Sequence, residues 1–164
     1  MQSKNLIKVR IDLPSHWATG GESMWALPLG ADLYELRNTP FHAYDLNLLD
    51  VVEARSSDPD LTPAILRVVR RSGHRTLRVR FSESTTVSDR IVRLESLASL
   101  KASFEGKNDA FFAIDVAPGG DYQGVCDQLA AWESEGALDY ETCEARIAGS
   151  FDDRPQHPVD DDAG

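Results

Sequence analysis

The sequence predicts an α+β fold: an N-terminal antiparallel β-rich lobe (a small barrel or strongly twisted sheet) continuous with a C-terminal ferredoxin-like βαβα unit. Three observations lead there. Between Leu6 and Phe81 apolar residues recur at every second position, in short runs broken by Pro, Gly, Asn and Asp. No helical period interrupts those runs, and consecutive strands of this kind curl into a barrel or twisted sheet. At Thr86 the period lengthens to that of a helix, and an apolar run at Ala110–Val116 separates two helical stretches. The expected division is 1–75 for the β-rich lobe, 76–149 for the βαβα lobe packed on it, and 150–164 for a disordered acidic tail.

Leu6 to Leu13 alternates and stops at Pro14, which marks the first strand. Ser15 to Gly21 is a loop carrying His16 and Trp17, and Glu22 to Leu27 reads as the second strand. Pro28 to Asp32 turns the chain into a third strand ending at Arg37-Asn38. A proline break then presents Phe41, His42 and Tyr44 before a fourth strand, Leu49 to Arg55. Ser56 to Asp60 is a surface turn. Ala64 to Arg71 and Thr76 to Phe81 are expected to face each other across Ser72-Gly73-His74 as a β-hairpin, with Gly73 supplying an unusual backbone angle.

Beyond Thr86, residues Val87, Ile91, Leu94, Leu97, Leu100 and Phe104 fall at helical spacing, with Thr86 or Ser88 as N-cap and Gly106 as the stop. Pro118 to Asp121 turns into a second helix that places Val125, Leu129 and Trp132 on one face, and Asp121 suits its cap. Strand, helix, strand, helix from Thr76 to Ala137 implies parallel strands joined by a helical crossover.

At 164 residues the chain is long enough for one good core or two small lobes sharing one. With 41% hydrophobic and 27% charged residues it reads as a soluble globular protein, and no apolar run approaches the roughly 20 residues of a membrane span. Met1-Gln2-Ser3-Lys4 leads into a strand without a secretory signal, so a cytoplasmic location is expected. Cys126 and Cys143 fall in expected helical territory and read as buried thiols, too few for a disulfide scaffold.

The net charge of -10 argues against a general nucleic-acid binder. Charge is unevenly placed, however. Leu66 to Phe81 holds six arginines (67, 70, 71, 75, 78 and 80) and no carboxylate, whereas Asp152 to Asp162 holds five aspartates against one arginine. On alternating strands Arg78 and Arg80 share a side opposite Leu77, Val79 and Phe81, and that side is expected to face solvent together with Arg67 and Arg71.

The opening strand Lys8 to Leu13, Glu22-Ser23-Met24-Trp25-Ala26, Leu36-Arg37-Asn38-Thr39-Pro40-Phe41, Leu49-Asp50-Val51-Val52 and Arg71-Ser72-Gly73-His74-Arg75-Thr76 follow one another in a characteristic order. With Phe112-Ala113-Ile114-Asp115-Val116, Asp121-Tyr122 and Asp139-Tyr140-Glu141, the set resembles a bacterial family known as domain of unknown function 4265. The resemblance spans most of residues 5 to 145. It implies a small bacterial protein and brings no activity or catalytic residue with it.

Candidate chemistry is sparse. His16, His42 and His74 lie in three loops, with no His-x-x-x-His or Cys-x-x-Cys spacing, so neither a metal nor a cofactor is expected. Ser72 and His74 bring a hydroxyl near an imidazole, but an exposed hairpin tip with no orienting carboxylate makes a structural turn the better reading. Gly119-Gly120-Asp121 lacks a phosphate-loop ending, and Asp121 would repel an anion. Asp12, Glu22, Asp45 and Asp50 sit at strand ends or in loops, and catalysis would require two of them flanking one pocket.

Three functional classes remain, the first favoured. One is a non-enzymatic module for a protein partner, with an immunity or antitoxin role as one form of it and with an acidic body and aromatic loops presenting the interface. The second binds nucleic acid or nucleotide through Arg67, Arg71, His74, Arg78 and Arg80. The third is a small enzyme with a pocket near Trp17, Trp25, Asn38, Phe41, His42 and Tyr44. Oligomeric state is not fixed, although an edge strand at Leu6–Leu13 would offer a pairing surface.

Overall fold

Alternation drives the first five strands: β1 (Ile7–Asp12), β2 (Gly21–Gly30), β3 (Leu33–Leu36), β4 (Val51–Arg55) and β5 (Ala64–Arg70). The computed structural model describes residues 5–153. In it these strands close into a barrel in sequence order, each antiparallel to the next, with β1 and β5 meeting in parallel at Arg10 and Ala64. Register shifts in β2–β3 and β4–β5 supply the extra bend that so small a barrel needs. Val9, Met24, Ala26, Leu36, Val52 and Ala54 fill the interior, and Ala43 and Leu46 join them from the β3–β4 crossover. Because β1 is paired on both sides, the edge strand expected there does not exist.

The second half comprises β6 (Arg75–Phe81), α1 (Val87–Ser96), β7 (Ala102–Gly106), β8 (Phe111–Val116), α2 (Tyr122–Ser134) and β9 (Leu138–Thr142). Its strands lie in the order β7-β8-β6-β9, and all neighbours are antiparallel. This overturns the expected fold class. The molecule is mostly β, with two short helices, and the C-terminal half is not a ferredoxin-like βαβα unit with adjacent parallel strands. Two strands escaped the sequence reading. Helix α1 stops at Ser96, a short 3-10 turn covers Leu97–Leu100, and Lys101 reverses the chain with φ 62°. Residues 102–106, including Phe104, are therefore extended and pair with β8 rather than prolonging the helix. β9 then pairs with the free side of β6.

The arginine-rich hairpin is also absent. A closed barrel leaves β5 no free edge, so β6 departs into the other sheet. Asp50 makes that departure a fixed corner: its buried carboxylate accepts the Ser72 N–H at 2.8 Å, while Ser72 Oγ donates to the Leu48 carbonyl at 2.6 Å. Gly73 has φ 91°, and a Cβ there would stand 3.2 Å from Pro118.

Both helices cover one face of the second sheet. Leu77, Val79 and Phe81 from β6 meet Phe112, Ile114 and Val116 from β8, together with Leu94, Val125, Leu129 and Trp132. Each such side chain stabilises by about 1.5–3 kcal/mol on burial. Thr86 and Asp121 cap the helices, accepting the N–H groups of Asp89 and Gly124. Cys126 lies in α2 and is half-buried; Cys143 is buried but follows β9 instead of lying in a helix, and both thiols are free. Among the described residues no helix is long and apolar enough to cross a membrane. Of the acidic tail, Ser150 and Asp152 are buried against the body, and the stretch from 154 to 164 lies outside the described residues.

Candidate functional site

The second face of the four-stranded sheet is polar, and the β3–β4 crossover covers it. Arg78, expected at a solvent face, is the largest fully buried side chain. Its Nε donates to Glu141 on β9 at 2.9 Å, its Nη1 donates to the Ala43 carbonyl at 2.8 Å, and its guanidinium lies 4.6 Å from the Tyr44 ring. Tyr44 in turn donates to Glu141 at 2.5 Å. Burial and that carboxylate push the Tyr44 phenol well above its ordinary range.

Glu22 holds the crossover from the barrel side. Its carboxylate accepts three successive backbone N–H groups, from Phe41, His42 and Ala43, at 2.6, 3.0 and 2.9 Å. Clamped by a carboxylate below and a guanidinium above, residues 41–43 have a fixed backbone.

His42 stands on that rigid segment. Its ring lies parallel to Phe111 at 5.8 Å and edge-on to His16 at 4.8 Å. His16 Nδ1 accepts the N–H groups of Ala18 and Thr19, which puts the His16 proton on Nε2. No side-chain hydrogen bond to His42 is formed among the described residues. Burial, reinforced by the charges of Lys107, His16, Arg78 and Arg80, lowers the His42 pKa to about 3, so the ring is neutral at physiological pH.

Two clefts flank this imidazole. One, of about 190 Å³, is walled by the end of β1 with His16, His42, Tyr44, Arg146 and Asp152. The other, of about 270 Å³, is lined by Thr19, Gly21, Glu22, Ser23, Phe41, His42 and Lys107. A wider cleft of about 310 Å³ lies between the start of α1 and the end of α2, but its charged residues Asp89, Arg93 and Glu135 pair with one another. Chemistry therefore concentrates around His42.

The remaining expected residues scatter. Trp17 packs on His16 with its indole N–H buried and without a hydrogen-bond partner among the described residues, and its backbone N–H donates to the Asp152 carbonyl. Trp25 points outward from the barrel under Lys8, 43% exposed, and Asn38 accepts its backbone N–H. Arg67 pairs with Glu53 at 3.0 Å and Arg71 with Asp45 at 2.9 Å. Arg80 lies over the Phe151 ring at 4.2 Å and donates to the Phe151 carbonyl. His74 is remote from the other two histidines and meets the buried Asp115 carboxylate at 2.9 Å. Burial raises the Asp115 pKa, against the pull of His74. That carboxylate is the partner His74 lacked in sequence, but Ser72 Oγ donates to Leu48, so no activated nucleophile results. Among the described residues no three His, Cys, Asp or Glu side chains are grouped to hold a metal.

Sequence reasoning left Lys107 and Glu141 out of the site. Lys107 arrives on the β7–β8 turn and Glu141 on β9, beside the two strands it did not find.

Residues 22–140 match the model of the family described as Domain of unknown function (DUF4265). The chain belongs to this family. No curated protein matches. A solved structure, a hypothetical protein from Neisseria gonorrhoeae, superposes with a TM-score of 0.69 at 13% identity, over 87% of this chain and 96% of that one. At that identity the likeness concerns the fold alone: the DUF4265 arrangement of a barrel followed by a helix-covered sheet has a crystallographic counterpart.

Proposed function

We propose that the protein is a non-enzymatic protein-binding module, working in the cytoplasm, that meets a basic protein partner with the layer formed by α1 and α2. One observation carries the reading, namely where charge is left over. Arginines 67, 71, 75 and 78 each pair with a carboxylate within the fold. On the helical layer Glu83, Glu95, Asp127 and Glu133 are exposed and form no ion pair among the described residues. Arg90 is buried beneath them, and Arg93 is taken up by Asp89 and Glu135. Uncompensated acid on one face steers a basic partner and speeds its encounter. Neutralising a basic effector, as an immunity or antitoxin protein would, is the form that this charge favours.

Nucleic-acid binding has less support, because phosphate would compete with Glu53, Asp45, Glu141 and Glu144 for guanidinium groups already paired. A small enzyme has less again: among the described residues no hydroxyl or thiol is hydrogen-bonded to a histidine ring. The test is co-purification from the native host at low salt, with the wild-type chain and a variant carrying Glu95→Lys, Asp127→Lys and Glu133→Lys as baits. A partner retained by the wild type, released by salt and lost from an equally stable variant is expected. The same proteins on both baits would sink the reading.

A further inference from the structure

We propose that the cleft between His42 and Lys107 is a binding site for a small oxyanion, a carboxylate or phosphate group. Four features place it there. The cleft is a real cavity of about 270 Å³ with rigid walls, since Glu22 fixes the backbone of residues 41–43 that forms one side. Its one carboxylate, Glu22, keeps its charge but turns three of its lone-pair sites to the N–H groups of residues 41–43. Lys107 is half-buried, lies 6.0 Å above the Phe41 ring, and forms no ion pair among the described residues. Ser23 lines the same space with its hydroxyl, as does the His42 imidazole, which has no hydrogen-bond partner among the described residues; Thr19 lines it too, but its hydroxyl donates to the Gly21 carbonyl.

The chemistry of that set selects the ligand. A half-buried ammonium that forms no ion pair among the described residues favours an anion. The Ser23 hydroxyl and one neutral imidazole N–H add uncharged donors of the kind that surround bound carboxylate or phosphate oxygens. Burial, reinforced by the charges of Lys107, His16, Arg78 and Arg80, keeps the ring neutral, so its donor and acceptor nitrogens are unchanged across the physiological pH range. A cationic ligand would meet Lys107 at close range.

The full chain is titrated with sodium phosphate and, separately, sodium acetate at constant ionic strength, following the His42 ring protons by NMR. A saturable shift with at least one anion is expected, and which anion acts tells phosphate from carboxylate. Lys107→Gln is expected to weaken that binding roughly tenfold or more. Ser23→Ala, at an exposed position, provides a milder loss should Lys107→Gln disturb the fold, which melting reports. A linear, unsaturable response to both anions overturns the proposal. So does binding that is unchanged in both variants.

Discussion

Arg78 and Glu141 meet at 2.9 Å with both side chains out of water, one from the central strand β6 and the other from the edge strand β9. The pair does not stand alone. Arg78 also reaches the Ala43 carbonyl, and Glu141 also accepts from Tyr44 and from the Phe151 backbone N–H. A buried pair is tolerable when most of its remaining donors and acceptors are matched, and here the crossover and Phe151 supply the matches, leaving Arg78 Nη2 without a hydrogen-bond partner among the described residues.

Removing one partner therefore strands the other. Arg78→Met should cost about 3–5 kcal/mol, read from urea denaturation, because Glu141 keeps a buried charge. The double change Arg78→Met with Glu141→Leu should cost less than the two single changes together. Full additivity would mean that the pair is not coupled.

Glu22→Gln keeps the shape of the clamp but removes its charge. Three N–H groups then share one amide oxygen, at a cost of about 1–3 kcal/mol. Amide exchange at Phe41, His42 and Ala43 should quicken more than anywhere else, and unchanged protection there would contradict the clamp.

Acid should unfold the protein partly through His42. Its folded-state pKa of about 3 lies below the ordinary 6.5, so between those values the unfolded chain binds more protons. The stability it contributes is complete above pH 6.5 and is lost as pH falls toward 3. His42→Asn should flatten that limb of the stability–pH curve. Asp115 acts with the opposite sign, since its pKa is raised and its contribution fades as pH rises through the shifted value.

Lys101 adopts φ 62° at the junction of the 3-10 turn and β7. A side chain is costly in that conformation, so Lys101→Gly should raise stability by about 0.5–1 kcal/mol in thermal or urea unfolding. A loss of stability would mean that the lysine side chain makes a compensating contact.

The strands of the barrel were legible, though not its closure, because they obey a simple rule: Val9, Met24, Ala26, Val52 and Ala54 point inward at alternate positions. The second sheet was harder. Leu97, Leu100 and Phe104 keep helical spacing across a chain reversal made without glycine, so β7 was hidden inside an apparent helix. Leu138 to Thr142 is five residues long with little apolar content, and nothing local marks it as β9. The largest misreading concerned Arg78 and Arg80. Alternation identified their shared face correctly but could not say what lies against it, and a crossover 30 or more residues upstream does. His16 and His42 met for the same reason, through closure of the barrel and not through any spacing between them.

The Arg78 guanidinium ties residue 43, in the crossover of the barrel, to residue 141, on the edge strand of the second sheet. The two halves are thus joined through Arg78 and not only through the chain between β5 and β6. A fragment ending before β9 would leave Arg78 without its counter-ion, and the barrel alone would lose the anchor that seats its own plug, Ala43. The crossover therefore reaches its final seat only once β9 is in place.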